Sequence, residues 1–317
     1  MRALWPTGGS DPLVGLGDAP EPEPLACEAV VEVEAFSLNR GELFLLLDPP
    51  HDWRPGKDVA GRVVKPAADG SGPPAGTRVV GHPPARGWAQ RVSVPVGALS
   101  AVPDDVDSVT AAALPLAGLT ALRLLRAAGS VAGRRVLLTG ASGGVGHYFT
   151  ELASATGAWV TVVSASSERA TSLRARGAAH VVHRIEDAEG PFDVVLESVG
   201  GDALGRALAQ LRKGGLLLWF GQASRTPSTL DFFAHFDQAG AALRHFHYED
   251  SDVPLAEDLR TLVRLVDTGR LHPEIGAIAD WSQTAQLLAE LRERRIRGNA
   301  VLQITTPTDG GNDEPSP

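Results

Sequence analysis

Long hydrophobic runs, paired cysteines and a surplus of positive charge are all missing from this 317-residue chain. No apolar segment approaches the ~20 residues that cross a bilayer, so an integral membrane protein is not expected. Cys27 is the only cysteine, which excludes internal disulfides and zinc sites built from several thiolates. The formal net charge of −9 argues against a general affinity for nucleic acid or anionic membranes.

Other scarce features narrow the class of protein further. Residues 1–12 carry no basic-then-apolar signal pattern, so we expect a cytoplasmic protein. Lysine occurs only as Lys57, Lys65 and Lys213; the arginine bias, with abundant alanine and glycine, is typical of a GC-rich bacterial genome. The hydrophobic and charged fractions, 43% and 21%, are those of a soluble globular protein with one large or two medium cores.

A glycine turn in residues 135–147, RVLLTGASGGVGH, is the most informative motif that is present. The apolar run Val136–Leu138 predicts a buried strand, and helical spacing follows the four glycines Gly140, Gly143, Gly144 and Gly146. Backbone N–H groups and the helix dipole at such a turn bind anions, and the missing Cβ atoms let a pyrophosphate approach. The spacing differs from G-x-G-x-x-G, so the flanking strand and helix carry the prediction of a dinucleotide site.

The chain changes its pattern near residue 116. Residues 1–115 contain short hydrophobic runs separated by glycine and proline, which predicts a β-rich region. Residues 116–270 alternate between strand and helix patterns, which predicts parallel strands joined by crossovers in a doubly wound sheet. Helical spacing at 284–294 and a closing strand at 300–304 follow. The polar tail 305–317 is predicted to be disordered.

The end of the second strand of this alternation bears on the choice between NAD and NADP. In folds that prefer NAD, an acidic residue about 20 residues past the glycines binds the ribose 2′-hydroxyl. Small hydroxyl residues stand there instead, and two arginines lie nearby; the residues are Ser164, Ser166, Ser167, Arg169 and Arg184. Guanidinium groups pair bidentately with phosphate, so the pattern favours NADP(H). The alternative is that both arginines are solvated surface charges.

Taken together, these residues resemble the medium-chain dehydrogenase/reductase family, most of all its zinc-independent quinone oxidoreductase and enoyl reductase branch. The resemblance covers residues 28–304, and its motifs are Ala35–Gly41, Pro55–Gly61, Gly76–Gly81, Ala112–Ala121, Gly140–Gly146, Phe192–Gly201 and Gly298–Leu302. It implies an α/β fold in which a Rossmann domain, 116–270, is clasped by a β-rich GroES-like domain, 1–115 and 271–304. It also implies a homodimer that pairs through the edge strand Leu243–His247.

The resemblance extends to residues that contact the cofactor. Besides the glycines, serines and arginines above, it implies Thr120, Ser142, Val145, Ser198, Val199, Gly200, Phe220, Gly221, Gln222 and the segment Phe246–Tyr248. Asn299 stands where relatives usually have lysine, and we include it among the cofactor residues.

Two departures from the zinc-using relatives concern the catalytic centre. Asn39 stands in place of their first cysteine ligand, and Lys57 in place of their histidine ligand. Neither an amide nor an ammonium is a useful zinc ligand, so we expect a metal-free enzyme. Asn39 is expected to line the cleft, or else to satisfy backbone groups in a loop. Lys57 is expected to act as an acid or electrostatic clamp, or else to pair with Asp58, Glu42 or a phosphate oxygen.

The implied reaction is hydride transfer from NADPH to an activated C=C bond of an enone, enal or enoyl group, or to a quinone, with a donor on the developing oxyanion. Several relatives have a tyrosine after the asparagine, but Tyr148 and Tyr248 both lie elsewhere in this sequence, so no proton donor is assigned. The alternatives are a non-redox reaction, such as a natural-product cyclisation, and an NADP-binding module. Four further residues are interpreted as surface-loop residues, or else as residues that line the mouth of the cleft: His51, Trp53, His82 and Trp88.

Overall fold

The computed structural model describes residues 1–9, 11–231 and 233–305, without the side chain of Phe236. Apart from Thr305, the tail predicted to be disordered lies outside the described residues. The strands are β1 (Arg2–Pro6), β2 (Val14–Asp18), β3 (Glu28–Leu38), β4 (Val59–Lys65), β5 (Arg78–Gly81), β6 (Arg91–Pro95), β7 (Leu99–Ala101), β8 (Arg135–Leu138), β9 (Trp159–Val163), β10 (His180–Val182), β11 (Phe192–Glu197), β12 (Leu211–Trp219), β13 (Ala242–His245), β14 (Ile275–Asp280) and β15 (Asn299–Gln303). The α-helices are α1 (Arg40–Leu47), α2 (Ser108–Ala112), α3 (Pro115–Ala127), α4 (Gly144–Ala155), α5 (Ser167–Ala175), α6 (Asp202–Ala209), α7 (Leu255–Asp267) and α8 (Thr284–Arg292).

A parallel six-stranded sheet has the order β10-β9-β8-β11-β12-β13. Its central strands are buried on both faces: the consecutive residues Leu137 and Leu138, which point to opposite faces, are both 0% exposed, and this explains the continuous hydrophobic runs. The chain passes from β8 outward to β9 and β10, and then returns to the other side of β8. This reversal opens a crevice between the carboxyl ends of β8 and β11, where doubly wound folds bind their ligands. The predicted Rossmann fold is confirmed.

A second, mixed sheet has the order β14-β15-β3-β4-β5-β7, and β6 also pairs with β3. Its neighbours are antiparallel except for β14 and β15, which run parallel. Phe36 and Trp88 stack in its core with ring centroids 5.6 Å apart, and Trp88 is only 1% exposed. The surface-loop interpretation of Trp88 is therefore wrong. This sheet, built from both ends of the chain, is the predicted GroES-like unit.

The alternation of strands and helices predicted for residues 116–270 is found, and the strand predicted at Val136–Leu138 is β8. Helix α6 ends at Ala209, because Leu211 already begins β12. Helix α1 and strand β14 carried no clear sequence signal. Leucines lie on several sides of α1, so it lacks a helical period, and β14 is half-exposed along its length.

The two sheets meet at the glycine turn. Gly143 forms a bridge with Gly298, and the Gly298 N–H donates to the carbonyl of Ser142 at 3.0 Å. The turn after β8 is thus attached by backbone contacts to the start of β15 in the other sheet. None of the helices in the described part of the chain is both long and apolar enough to span a bilayer.

Candidate active site

The turn after β8 forms an open cradle at the start of α4. Gly140 has a φ of +64°, and a Cβ atom there would lie 2.5 Å from Ser198 Oγ. A Cβ on Gly146 would lie 2.2 Å from the Ala141 carbonyl oxygen, so the helix can approach the strand only with glycine there. At Gly143, the N-cap of α4, the nearest atom would be 3.8 Å away. The cradle is therefore open at the helix N-terminus, where a phosphate would lie.

The ends of β11 and β12 converge beside this cradle. Glu197 is fully buried and accepts hydrogen bonds from the N–H groups of Val199 and Gly200 at 2.7 and 3.0 Å. Burial raises the pKa of its carboxyl group. The segment after β12 continues this wall: Phe220 N–H donates to the Glu197 carbonyl, and a Cβ on Gly221 would touch Ser198. The predicted residues Ser198–Gly200 and Phe220–Gln222 thus lie together.

Val145 and Asn299 flank the cradle, and Thr120 lies on α3, the helix that packs against α4. Thr120 is buried on α3, and its hydroxyl donates to the Leu116 carbonyl at 2.6 Å. Val145 lies in the first turn of α4. Asn299, from the other sheet, reaches over Gly144, where its Oδ1 would lie 2.3 Å from an added Cβ. Asn299 also donates to the Glu274 carbonyl, so it holds the junction between the sheets.

Residues around the end of β9 form a separate polar corner. The hydroxyls of Ser142 and Ser164 are 3.0 Å apart, and Ser166 is the N-cap of α5. His183, which the sequence interpretation missed, contacts the Ser167 hydroxyl at 3.3 Å and the Ser164 carbonyl at 2.8 Å. The predicted cofactor serines are therefore brought together.

Arginines from both sheets gather next to this corner. Arg169 donates to the carbonyl of Arg294, and Arg294 reaches the carbonyl of Ala223. Burial and the charges of Arg294 and Arg169 lower the pKa of Arg40. Within the described residues, none of these three guanidinium groups pairs with a carboxylate. A group of positive charges without a carboxylate partner favours the binding of an anion.

The other predicted arginine has a different environment. The Arg184 side chain is 71% exposed and lies 3.5 Å from Glu186, which also pairs with Arg206. Arg184 thus matches the surface-charge alternative, and Arg294 and Arg40 stand beside Arg169 in its place.

A buried carboxylate organises the catalytic end of the cleft. Asp58 Oδ2 accepts from Ser37 Oγ at 2.7 Å and from Asn39 Nδ2 at 2.8 Å. Asp58 Oδ1 accepts from the Leu116 N–H at 3.0 Å and faces His82 Nδ1 at 3.1 Å. Three donors and His82 Nδ1 surround this carboxylate, and because an ionised carboxylate only accepts, the contact favours the His82 proton on Nδ1. Asn39 is therefore held by Asp58 instead of by loop backbone.

From His82 the contacts run outward to Lys57. His82 Nε2 is 2.9 Å from Tyr248 Oη, and Lys57 Nζ is 3.5 Å from the same oxygen. Tyr248 Oη donates to Glu249 Oε1 at 2.8 Å. Exposure rises along this line, from 1% and 3% for the side chains of Asp58 and His82 to 9% for Tyr248 and 27% for the Lys57 side chain. A buried polar chain thus ends at the solvent side of the cleft.

Two sets of contacts fix the segments that carry Lys57 and Tyr248. Gly56, before Lys57, has a φ of +121°, and a Cβ there would lie 2.2 Å from the Trp88 nitrogen, so only glycine fits. On the other side, Arg123 donates to the Tyr248 carbonyl at 2.6 Å and pairs with buried Asp258 at 2.7 Å. Both ends of the Lys57–Tyr248 contact are therefore anchored to the fold.

Glu42 lies beneath Lys57 and is 1% exposed. Its Oε1 accepts from the N–H groups of Gly56 and Lys57 at 2.7 and 3.1 Å, whereas its buried Oε2 has no partner. Burial and the nearby Asp58 carboxylate raise the pKa of Glu42 to about 8. A neutral Glu42 thus supports the backbone of Lys57 without adding charge.

Sequence reasoning missed the central members of the cluster. Tyr248 was expected to contact the cofactor and was given no catalytic role, but the loop after β13 places it beside His82. His82 itself is buried instead of lying in a surface loop. His51 is exposed as expected, and Trp53 packs partly against the core of the mixed sheet. A signal was available for His82 alone, since it directly follows β5, as Asp58 directly precedes the neighbouring strand β4.

Metal independence stays a prediction. It rests on the resemblance, which places the Asn39 amide and the Lys57 ammonium at two ligand positions of the zinc-using relatives. In the described ranges, no three side chains of histidine, cysteine, aspartate or glutamate are placed to hold a metal together.

Comparisons with known proteins agree with this fold. A family model described as zinc-binding dehydrogenase matches residues 144–268. The human synaptic vesicle membrane protein VAT-1 homolog-like is 33% identical over 325 residues, covering 90% of this chain and 77% of that protein. The spectinabilin polyketide synthase system protein NorB of Streptomyces orinoci is 33% identical over 321 residues. That match covers 96% of this chain, which spans only 14% of the synthase protein.

Solved structures show the same architecture. Quinone oxidoreductase from Escherichia coli, solved with NADPH, superposes with a TM-score of 0.87 at 20% identity, covering 96% of this chain and 100% of the other. A mycobacterial protein solved with NADPH has a TM-score of 0.87 at 25% identity, with the same coverage.

Proposed function

Because the chain belongs to the medium-chain dehydrogenase/reductase family, in its quinone oxidoreductase-like branch, we propose that it is a metal-free, NADPH-dependent reductase of activated C=C bonds or quinones. The observation that carries this proposal is the Lys57 ammonium beside Tyr248, at the position where zinc-using relatives hold their metal. This placement supports electrostatic stabilisation of a substrate oxyanion by side chains alone.

The residues fit NADPH in three places. The open N-terminus of α4 at Gly143 suits the pyrophosphate, and the wall of Ser198–Gly200 and Phe220–Gln222 suits the nicotinamide half. Arg169, with Arg294 and Arg40, suits the phosphate groups, including the 2′-phosphate that distinguishes NADPH from NADH. NADPH bound in the mycobacterial structure, at 25% identity, supports this choice.

The chain's own groups act on the substrate. NADPH, when bound, supplies the hydride. As the C=C electrons move onto the carbonyl oxygen, the Lys57 ammonium would donate to that oxygen and offset its charge. Asn39, held by Asp58, would line the same cleft, and Glu42 keeps the Lys57 backbone in place. The similarity to part of a polyketide synthase system supports an acyl substrate.

The test is oxidation of NADPH with a panel of α,β-unsaturated ketones, aldehydes, acyl thioesters and quinones. We expect turnover with at least one of these classes. Tight NADPH binding without any turnover would contradict the proposal, and would favour a non-redox reaction or a binding module.

A homodimer is part of the proposal. Strand β13 is the last strand of the parallel sheet, and all four of its residues are exposed, including Leu243 at 39%. Pairing of two such edges across a two-fold axis would cover both. Sedimentation of the wild type and of Leu243→Pro tests this, since proline removes a donor from the edge; a monomeric wild type would contradict it.

A further inference from the structure

The Tyr248 hydroxyl has more partners than a structural tyrosine needs. It lies 2.9 Å from His82 Nε2, 2.8 Å from Glu249 and 3.5 Å from Lys57 Nζ. The other tyrosine, Tyr148, donates to the Ala113 carbonyl at 2.9 Å, as a buried phenol typically does. Tyr248 also belongs to the parallel sheet's loops, whereas His82 and Lys57 belong to the mixed sheet, so the hydroxyl lies at the cleft between them.

We propose that Tyr248 is the proton donor of the reduction, with His82 and Asp58 as positioning residues. This rests on the proposed function. Once hydride has reached the β-carbon, the Tyr248 hydroxyl turns its proton from Glu249 to the α-carbon. The O–H bond then breaks and a C–H bond forms at the α-carbon. The electron pair stays on Oη, next to the Lys57 ammonium, and solvent at the exposed Glu249 side returns the proton. Enone, NADPH and one proton thus give the saturated carbonyl compound and NADP⁺.

The geometry pairs the two donors, Lys57 and Tyr248, with different atoms of the substrate. The carbonyl oxygen and the α-carbon of an enolate are two bonds apart, which matches a pair of donors in contact, Lys57 Nζ and Tyr248 Oη. Burial and the Glu249 carboxylate raise the pKa of Tyr248, so its hydroxyl stays protonated until the enolate forms. His82 cannot serve instead, because its Nδ1 faces Asp58 and its Nε2 is covered by Tyr248.

This role makes an enone the fitting substrate class. Protonation of carbon is slow without a positioned acid, whereas a reduced quinone takes its protons on oxygen, which exchange rapidly with water. Loss of the Tyr248 hydroxyl should therefore slow enone reduction much more than quinone reduction.

The experiment compares the wild type with Tyr248→Phe, using an enone and a quinone. We expect Tyr248→Phe to lower kcat for the enone about 10²–10⁴-fold with little change in KM, and to lower quinone reduction less than about tenfold. In D₂O, the wild type should place deuterium on one face of the α-carbon, and Tyr248→Phe should lose that facial selectivity. Retained enone kcat and selectivity in Tyr248→Phe would overturn the inference.

Matched variants control the result. Tyr148→Phe removes the same hydroxyl from a buried site outside the cluster and should keep both the rate and the selectivity. His82→Gln keeps a group that can hydrogen-bond Tyr248, so it should retain more enone activity than His82→Leu at unchanged KM; equal activities would contradict the positioning role. Melting curves show that each variant folds. A wild type that reduces neither substrate contradicts the proposed function itself, which separates that failure from failure of Tyr248.

Discussion

His82 Nε2 lies 2.9 Å from Tyr248 Oη, although 166 residues separate them in the chain. The contact joins the end of β5 in the mixed sheet to the loop after β13 in the parallel sheet. The catalytic cluster therefore forms only where the two sheets face each other. The cofactor cradle lies at the same junction, through the bridge between Gly143 and Gly298.

Cofactor preference tests the arginine group. Arg169→Ala should weaken NADPH binding by about tenfold to a hundredfold, because one charge-assisted pair with phosphate contributes roughly 1.5–3 kcal/mol. NADH binding should barely change, since it lacks the 2′-phosphate. Arg184→Ala is the control, as its exposed side chain pairs with Glu186. Fluorescence titration measures the affinities, and equal binding of NADH and NADPH by the wild type would contradict the assignment.

The glycine turn is tested best at Gly143. This residue has a φ of −83°, and the nearest atom to an added Cβ would be the Gly140 carbonyl oxygen at 3.8 Å. Gly143→Asp should therefore fold, and it would place a carboxylate where the pyrophosphate would bind. Gly146→Asp is a poor test, because its Cβ would collide with the backbone of Ala141. We expect Gly143→Asp to lose nucleotide binding in calorimetry. Gly97→Asp, at an exposed glycine with open space, should bind normally. Unchanged NADPH binding by Gly143→Asp would show that the cofactor lies elsewhere.

The raised pKa of Glu42 predicts that the stability of the fold depends on pH. Its pKa is raised from 4.5 to about 8 in the folded chain, so between these values the folded state keeps a proton that the unfolded state releases. The free energy of unfolding should therefore fall as pH rises through this window, by on the order of 5 kcal/mol at most. Glu42→Gln keeps the Oε1 acceptor and should remove this part of the slope.

Urea denaturation between pH 5 and about 8.5 measures the effect as a difference between wild type and variant. Glu257→Gln, at an exposed position of α7, should keep the wild-type slope. Parallel slopes for Glu42→Gln and the wild type would contradict the raised pKa.

If Lys57 stabilises the substrate oxyanion electrostatically, replacing it should lower kcat and leave cofactor binding unchanged. Lys57→Met should lower kcat about 10²–10³-fold and leave NADPH affinity nearly unchanged, since the contact with the oxyanion exists mainly in the transition state. Lys65→Met, at the exposed end of β4, should have no effect. A variant of Lys57 that loses stability but keeps its turnover would assign this lysine a structural role only.

Residue patterns within short segments of the sequence were sufficient to predict much of the fold and the cofactor half of the candidate site. The run Val136–Leu138 and the glycines after it are contiguous in sequence, so strand, turn and helix could be predicted together. Tyr248 and His82 could not be paired in this way, because nothing in either segment encodes a contact 166 residues away. Arg294 was likewise missed, since its place beside Arg169 depends on how the two sheets dock.

Hydride transfer itself is the central claim, and isotope labelling tests it most directly. NADPH carrying deuterium at the reactive position of the nicotinamide is incubated with enzyme and an enone, and the product is examined by NMR. The proposed function predicts one deuterium at the β-carbon of the saturated product and none at the α-carbon, which takes its proton from Tyr248. A product formed without deuterium at the β-carbon, or NADPH that binds and stays reduced with every acceptor, would contradict it.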